Sequence, residues 1–293
     1  MRRCRIAAFA LMLLPIPAAF SYAQSSPLLH DKRQQASDLE VGGALAGLPP
    51  GSTRYLTRAE LAAMPQTTFT ATGDTNFTEQ AKIRGVRLED LARRLAASPS
   101  SVMVLAICDD RYLAGYPRDY LAAHHPVLVL GVNGQPPDGW PKAAEDHTSS
   151  MGPYMISNPA FAPAFKVLSH SDEAQIPWGV VRLEFRDEKA VLGAIAPRGP
   201  HANDSAVQEG YRIAAQNCFR CHNEGSEGGQ KSGRPWDLLG GRAAASPKDF
   251  AAYVRSPAAR NPGAQMPANP EYDDATLAAL TAYFRTFAPG AKP

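Results

Sequence analysis

Cysteine is scarce in this chain: four in 293 residues, of which only Cys218 and Cys221 are closely spaced. No second pair stands in the last third, so a four-ligand thiolate zinc site has nothing to build on. Charge of one sign is missing as well. Lys and Arg number 30 against 28 Asp and Glu, a net of +2, which leaves no footprint for nucleic acid. Long apolar runs are absent except for residues 6–20, and that stretch is interrupted by Pro15 and Pro17 and is short for a membrane span. Proline (26) and glycine (23) are plentiful instead, which points to many turns in an ordinary globular composition of 44% apolar and 20% charged residues.

The apolar run has the flanks of an export signal. Arg2, Arg3 and Arg5 precede it and Ser21-Tyr22-Ala23 offers a small-residue cleavage site, so residues 1–23 are expected to be a removable targeting peptide. A retained anchor is the alternative. Cleavage takes Cys4 and three Arg but no acid, leaving 27 basic against 28 acidic residues, a charge of −1. No stable membrane span is expected afterwards.

The most informative stretch is Cys218-Phe219-Arg220-Cys221-His222. It reads C-x-x-C-H, the attachment signature of a c-type haem. Two thiols three positions apart reach both vinyl groups of one porphyrin, and the adjacent His offers a ring nitrogen to the iron. A redox C-x-x-C would expect a βαβ context and no following His. Covalent haem c, one per chain, is therefore the cofactor expected at Cys218 and Cys221, with His222 as an axial ligand.

Residues 24–50 look like an extended lead, broken by Gly42-Gly43 and Pro49-Pro50-Gly51. Residues 51–196 then read as one mixed α+β domain. Thr57 and Glu60 form a capping box for a short helix that Pro65 closes. Residues 67–72 read as a strand, 85–95 as a helix with Leu88, Leu91 and Leu95 on one face, and 102–107 and 127–132 as buried strands. Asn133-Gly134 is a tight-turn signal. Val181, Leu183 and Phe185 alternate with charged residues, as in a half-buried strand. The loop from Met151 to Phe165, rich in aromatic residues, Pro and Met, is either packed or a docking surface. Residues 197–204 form a breaker-rich linker.

Residues 205–293 begin with a helix over 205–217 that delivers the chain to Cys218. Gly210-Tyr211 would let this helix cross another closely. Ser246-Pro247 and Asp273-Asp274 open two more helices, the last with Leu277, Leu280, Tyr283, Phe284 and Phe287 on a broad apolar face. Helix, C-x-x-C-H, loops, Met-Pro and aromatic C-terminal helix stand in the order of a class I cytochrome c, and the segment resembles that family. Met266, the only Met after residue 155, lies before Pro267 and is the expected second axial ligand. His201 is the alternative, but it precedes the first helix. His/Met ligation favours Fe(II) and leaves no vacant position for a substrate.

The N-terminal pieces, over residues 56–187, resemble the molybdopterin-binding domain of the sulfite oxidase family. The matching residues are G-x-x-L-x-x-L at 85–91, the Asp110-Arg111-Tyr112 loop, and the 128–136 segment ending in N-G-x-P. The resemblance implies a mixed-sheet fold and a molybdenum held by a Cys shortly before the G-x-x-L segment. Here Ala71 stands at that place, in Thr70-Ala71-Thr72-Gly73, so the soft thiolate ligand is missing and a molybdopterin cofactor is not expected. Cys108 lies on the far side of the expected helix and reads as a small buried hydrophobe. His124, His125, His147 and His170 show no ligand spacing and read as solvated or packing residues.

Together these features predict an exported, periplasmic monohaem cytochrome that exchanges single electrons with a redox protein, its N-terminal domain used for docking. This reading leans away from an enzyme. The alternative is a haem-linked oxidoreductase, like a sulfite dehydrogenase, whose N-terminal domain binds a molybdopterin and drains electrons into the haem.

Overall fold

The computed structural model of the protein describes residues 29–159, 170 and 172–290. The expected targeting segment 1–23 lies outside them, as does most of the second half of the Met151-to-Phe165 loop. Among the described residues no helix is long and apolar enough to cross a membrane.

Continuous apolar runs become the centre of a mixed sheet. β5 (Val102–Cys108) and β7 (Val127–Val132) are buried along nearly their whole length, as strands covered on both faces must be. β9 (Trp178–Asp187) is the strand that organises the sheet. It pairs parallel with β1 (Leu39–Gly43) on one side. On the other it pairs antiparallel with β5, while β8 (Tyr154–Ser157) pairs antiparallel with its start on the β1 side. Beyond β8 follow β7, β4 (Ala81–Arg87) and β3 (Thr67–Ala71), while β2 (Arg54–Leu56) closes the other edge and β6 (Leu113–Tyr116) hairpins onto β5. Leu183 and Phe185 are fully buried, as alternation predicts. Val181 breaks the pattern because the register against β5 slips between Ile107 and Cys108, and Val180 takes the inward place.

Three expectations change. The stretch expected as a loose lead contains β1, which hydrogen-bonds along β9 from Glu40 to Gly43. The helix expected over 85–95 starts at Leu88, because Gly85, Val86 and Arg87 finish β4. A Cβ at Gly85 would collide with the Leu128 carbonyl, so glycine is what lets the β4 and β7 backbones meet at their register shift. Third, Trp236–Ala245 is a helix that the sequence, with Gly240 and Gly241 inside it, does not announce.

Short helices flank the sheet: α1 (Arg58–Ala63), α2 (Leu88–Leu95), α3 (Arg118–His124) and α4 (Glu188–Ala194). Thr57 accepts a hydrogen bond from Glu60 N, and Glu60 accepts one back from Thr57 N at 2.7 Å, completing the capping box. Asn133 and Gly134 both have positive φ, 52° and 80°, as a tight hairpin turn requires.

The C-terminal part is helical: α5 (Ser205–Asn217), α6 (Trp236–Ala245), α7 (Pro247–Arg255), α8 (Pro257–Arg260) and α9 (Asp274–Arg285). α5 and α9 cross at Gly210, where a Cβ would run into the Ala279 carbonyl. Tyr211 packs on Tyr283 at the crossing, ring centroids 5.8 Å apart. One apolar cluster runs across residues 197–204: Met103, Leu105 and Leu113 of the sheet and Val191 and Ile195 pack with Val207, Ile213, Trp236, Leu280 and Tyr283.

Candidate functional site

The C-x-x-C-H stretch folds as a single tight turn. Cys218–Arg220 is a 3-10 helix, and the Cys221 and His222 amides both donate to the Cys218 carbonyl, at 3.2 and 3.0 Å. Residues three apart on such a turn share a side, which is why the spacing brings the two thiols together. The glycine-rich loop that follows is pressed against this turn. Gly229 N donates to the Phe219 carbonyl and Ser232 N to that of Cys221, both at 2.9 Å. Gly228, at φ 100°, leaves no room for a Cβ between the His222 carbonyl and the Phe219 ring.

His222 is buried, and its Nδ1 lies 2.7 Å from the Arg234 carbonyl. A carbonyl only accepts, so Nδ1 carries the proton and Nε2 keeps its lone pair. Burial also pushes the imidazole below its ordinary pKa, against the opposing pull of that hydrogen bond, so the ring is neutral. A neutral imidazole with one nitrogen tied to a carbonyl is oriented to give the other to a metal. Cys218 is pushed up to about 12 by burial, with the neighbouring Cys221 adding to it, and Cys221 is also raised by burial.

Met266 is half-buried and packs against the same apolar cluster as Cys218 and Phe219. Pro267 and Asn269 follow it, and Asn269 Nδ2 donates to the Val254 carbonyl at 2.9 Å, tying the segment to α7. His201 stands apart: its ring is 74% exposed and bonds Asp204. Behind the turn Trp236 is fully buried. Its ring meets Phe219 edge-on at 5.6 Å, and its Nε1 donates to the Tyr283 hydroxyl at 3.0 Å. The Tyr283 hydroxyl in turn donates to the Ile195 carbonyl at 2.6 Å.

The family model described as cytochrome c oxidase, cbb3-type, subunit III matches residues 205–284. This segment is a cytochrome c domain. Its match begins at the first residue of α5 and ends within α9, so it spans the attachment turn, Arg234 and Met266. No curated protein matches the chain. Among solved structures, the sulfane dehydrogenase SoxCD from Paracoccus pantotrophus is similar at a TM-score of 0.36 and 14% identity, over 59% of this chain. The match covers 45% of that protein's chain, less than half its length.

In the N-terminal sheet, Ala71 ends β3, is 1% exposed and pairs with Ala81. A methyl group fills the place where the sulfite oxidase resemblance implies a thiolate. Cys108 is 4% exposed, and burial, reinforced by Asp110 and Asp109, holds its thiol far above the ordinary value. It packs as an apolar side chain. Three of the four histidines are engaged by carboxylates: His124 by Asp172 at 2.9 Å, His125 by Glu89 at 3.2 Å and His170 by Glu173 at 3.1 Å. Met151 and the β8 residues are buried, so this first part of the 151–165 loop is packing and not surface.

Sequence reasoning did not reach the residues of the N-terminal domain that touch the attachment turn. The Tyr112 hydroxyl lies against Arg220, and Lys231 pairs with Asp110 at 2.5 Å. The Arg111 carbonyl accepts from Gln230 N at 3.1 Å. Asp110-Arg111-Tyr112 was legible as a loop, but nothing in its spacing pointed about 110 residues along the chain, to the turn that it touches.

Proposed function

We propose that the protein is an exported, periplasmic monohaem c-type cytochrome that passes single electrons between redox proteins. The observation that carries this reading is the His222 Nδ1 contact with the Arg234 carbonyl, set within the C-x-x-C-H turn of a cytochrome c domain. It prepares an imidazole nitrogen for iron beside two thiols, and the donor set fits a haem. Cys218 and Cys221 would hold the group as thioethers, and His222 and Met266 would supply its two axial ligands. When bound, the haem would supply reversible Fe(III)/Fe(II) exchange, and ligation by a thioether together with an imidazole would favour the reduced state. The protein's own share is to bind the group, exclude water with Trp236 and Phe219, and fix the His222 tautomer.

The N-terminal domain serves for docking and carries no molybdenum. The support is Ala71, which offers no ligand, and Cys108, whose thiol is buried and protonated. Metal analysis of the purified full chain tests both halves of the reading. About one iron and no stoichiometric molybdenum per chain are expected, with no reduction of the haem by sulfite. Stoichiometric molybdenum together with sulfite-dependent haem reduction would replace the carrier by a haem-linked oxidoreductase.

A further inference from the structure

Arg220 occupies an x position of C-x-x-C-H, where a long charged side chain has every chance to reach solvent. Instead it turns into the joint with the N-terminal domain. It lies against the Tyr112 hydroxyl, and its Nη2 donates to the Ala174 carbonyl at 3.4 Å. Its Nε is shut off from solvent and has no partner among the described residues. Both groups that hold it are neutral. The carboxylate that acts on it most, Glu173, is itself engaged by His170 at 3.1 Å. Another cation near the turn, Lys231, is paired with Asp110. Arg220 itself forms no ion pair among the described residues, and it stands between Cys218 and Cys221 in the turn.

We propose that Arg220, held in place by Tyr112 of the N-terminal domain, is a positioning cation that raises the reduction potential of the haem attached on either side of it. This rests on the haem reading above. Oxidising the iron adds one positive charge. A fixed guanidinium nearby, in a medium far less polarisable than water, opposes that step and favours Fe(II). A half-buried cation held by neutral hydrogen-bond partners, with no ion pair of its own, is costly to keep. A structural role alone would be served as well by a neutral side chain of the same size. On this view the N-terminal domain is part of the redox site, since Tyr112 and Ala174 decide where the charge sits.

The test uses the exported full-length chain in three variants, Arg220→Gln, Arg220→Lys and Tyr112→Phe. Covalent haem is first checked in denatured protein by its absorbance. Wild type lacking covalent haem would sink the haem reading itself, whereas the potentials of the variants concern Arg220 alone. The midpoint potential of Arg220→Gln is expected to fall by an amount equal to a three- to tenfold shift toward Fe(III), a tenfold shift being about 59 mV for one electron. Arg220→Lys keeps the charge and should stay near wild type. Tyr112→Phe keeps the charge but loosens it and should shift in the same direction by less. A wild-type potential in Arg220→Gln, or equal drops in the Gln and Lys variants, overturns the proposal, even if thermal stability is lost. Should Arg220→Gln fail to load haem, the Tyr112→Phe potential decides: a fall supports the proposal and no change overturns it.

Discussion

At the scale of single residues, the attachment turn rests on a few atoms whose roles separate cleanly. His222 has one nitrogen committed to Arg234 and one lone pair left, so it can bind a metal whether or not a second ligand is present. Met266 is different, because nothing on its own segment uses the thioether. Met266→Ala should therefore leave the haem covalently attached through Cys218 and Cys221 while the iron turns high spin or takes exogenous ligands. Its potential should fall as the sulfur is lost. Absorption and electron paramagnetic resonance spectra of the oxidised variant check this. A low-spin spectrum identical to wild type would remove Met266 from the coordination sphere. Cys218→Ala with Cys221→Ala should instead abolish covalent haem altogether. The motif's spacing alone suggests the roles of Cys218, Cys221 and His222, because five consecutive residues carry their own geometry. The partners of Arg220 were not legible, because a side chain's direction at a domain joint depends on contacts far away in the chain.

Elements were legible where local signals agree. α1 begins at its capping box and α5 spans the residues its pattern predicts, and both have their signal inside the element. β1 was hidden because Gly42-Gly43 reads as a breaker, and it is a strand only because β9 lies beside it. α6 was hidden because Gly240 and Gly241 lower its helix propensity; Gly240 is there for the close approach of the Phe287 backbone. The same reasoning predicts what Gly210→Ala does at the α5–α9 crossing. Alanine gains about 1 kcal/mol in helix propensity. The new methyl meets the Ala279 carbonyl, which cannot move aside like a side chain, and overpacking of that kind costs about 1–3 kcal/mol. Net destabilisation is expected, read as a lower denaturation midpoint. Glu60 gives a pH signature. Burial alone would raise its carboxyl, but hydrogen bonds from Thr57 and the nearby His30 hold it below the ordinary value. A lowered carboxylate adds stability that is complete above the ordinary range near 4.3 and lost as pH falls through its own value. Glu60→Gln should thus be less stable than wild type at pH 7, by about 1 kcal/mol or less, with the gap closing in acid. A gap independent of pH would mean that the charge contributes nothing.

For the whole molecule, the question is whether the expected linker at 197–204 separates two independent bodies. Its breakers suggest so, and a fragment starting at His201 would then fold and load haem unaided. The packing points the other way. Val191 and Ile195 lie before the linker, and Met103, Leu105 and Leu113 come from the sheet, yet all pack with the helices that surround the haem site. Cutting at His201 also takes away the Ile195 carbonyl that accepts from Tyr283, leaving a buried hydroxyl that bonds Trp236 without its own acceptor. An orphaned buried group costs about 1–3 kcal/mol, and each large apolar side chain stripped of its cover forfeits about 1.5–3 kcal/mol. Several such losses rival the roughly 5–15 kcal/mol that holds a typical domain together. The fragment is therefore expected to aggregate or melt far below the full chain. In the intact protein, haem absorbance and far-ultraviolet dichroism should report one coincident thermal transition, and Leu105→Ala, in the sheet, should lower both by the same amount. Two separated transitions, with Leu105→Ala moving only the dichroism, would restore the two-body picture and make the N-terminal domain a detachable docking piece.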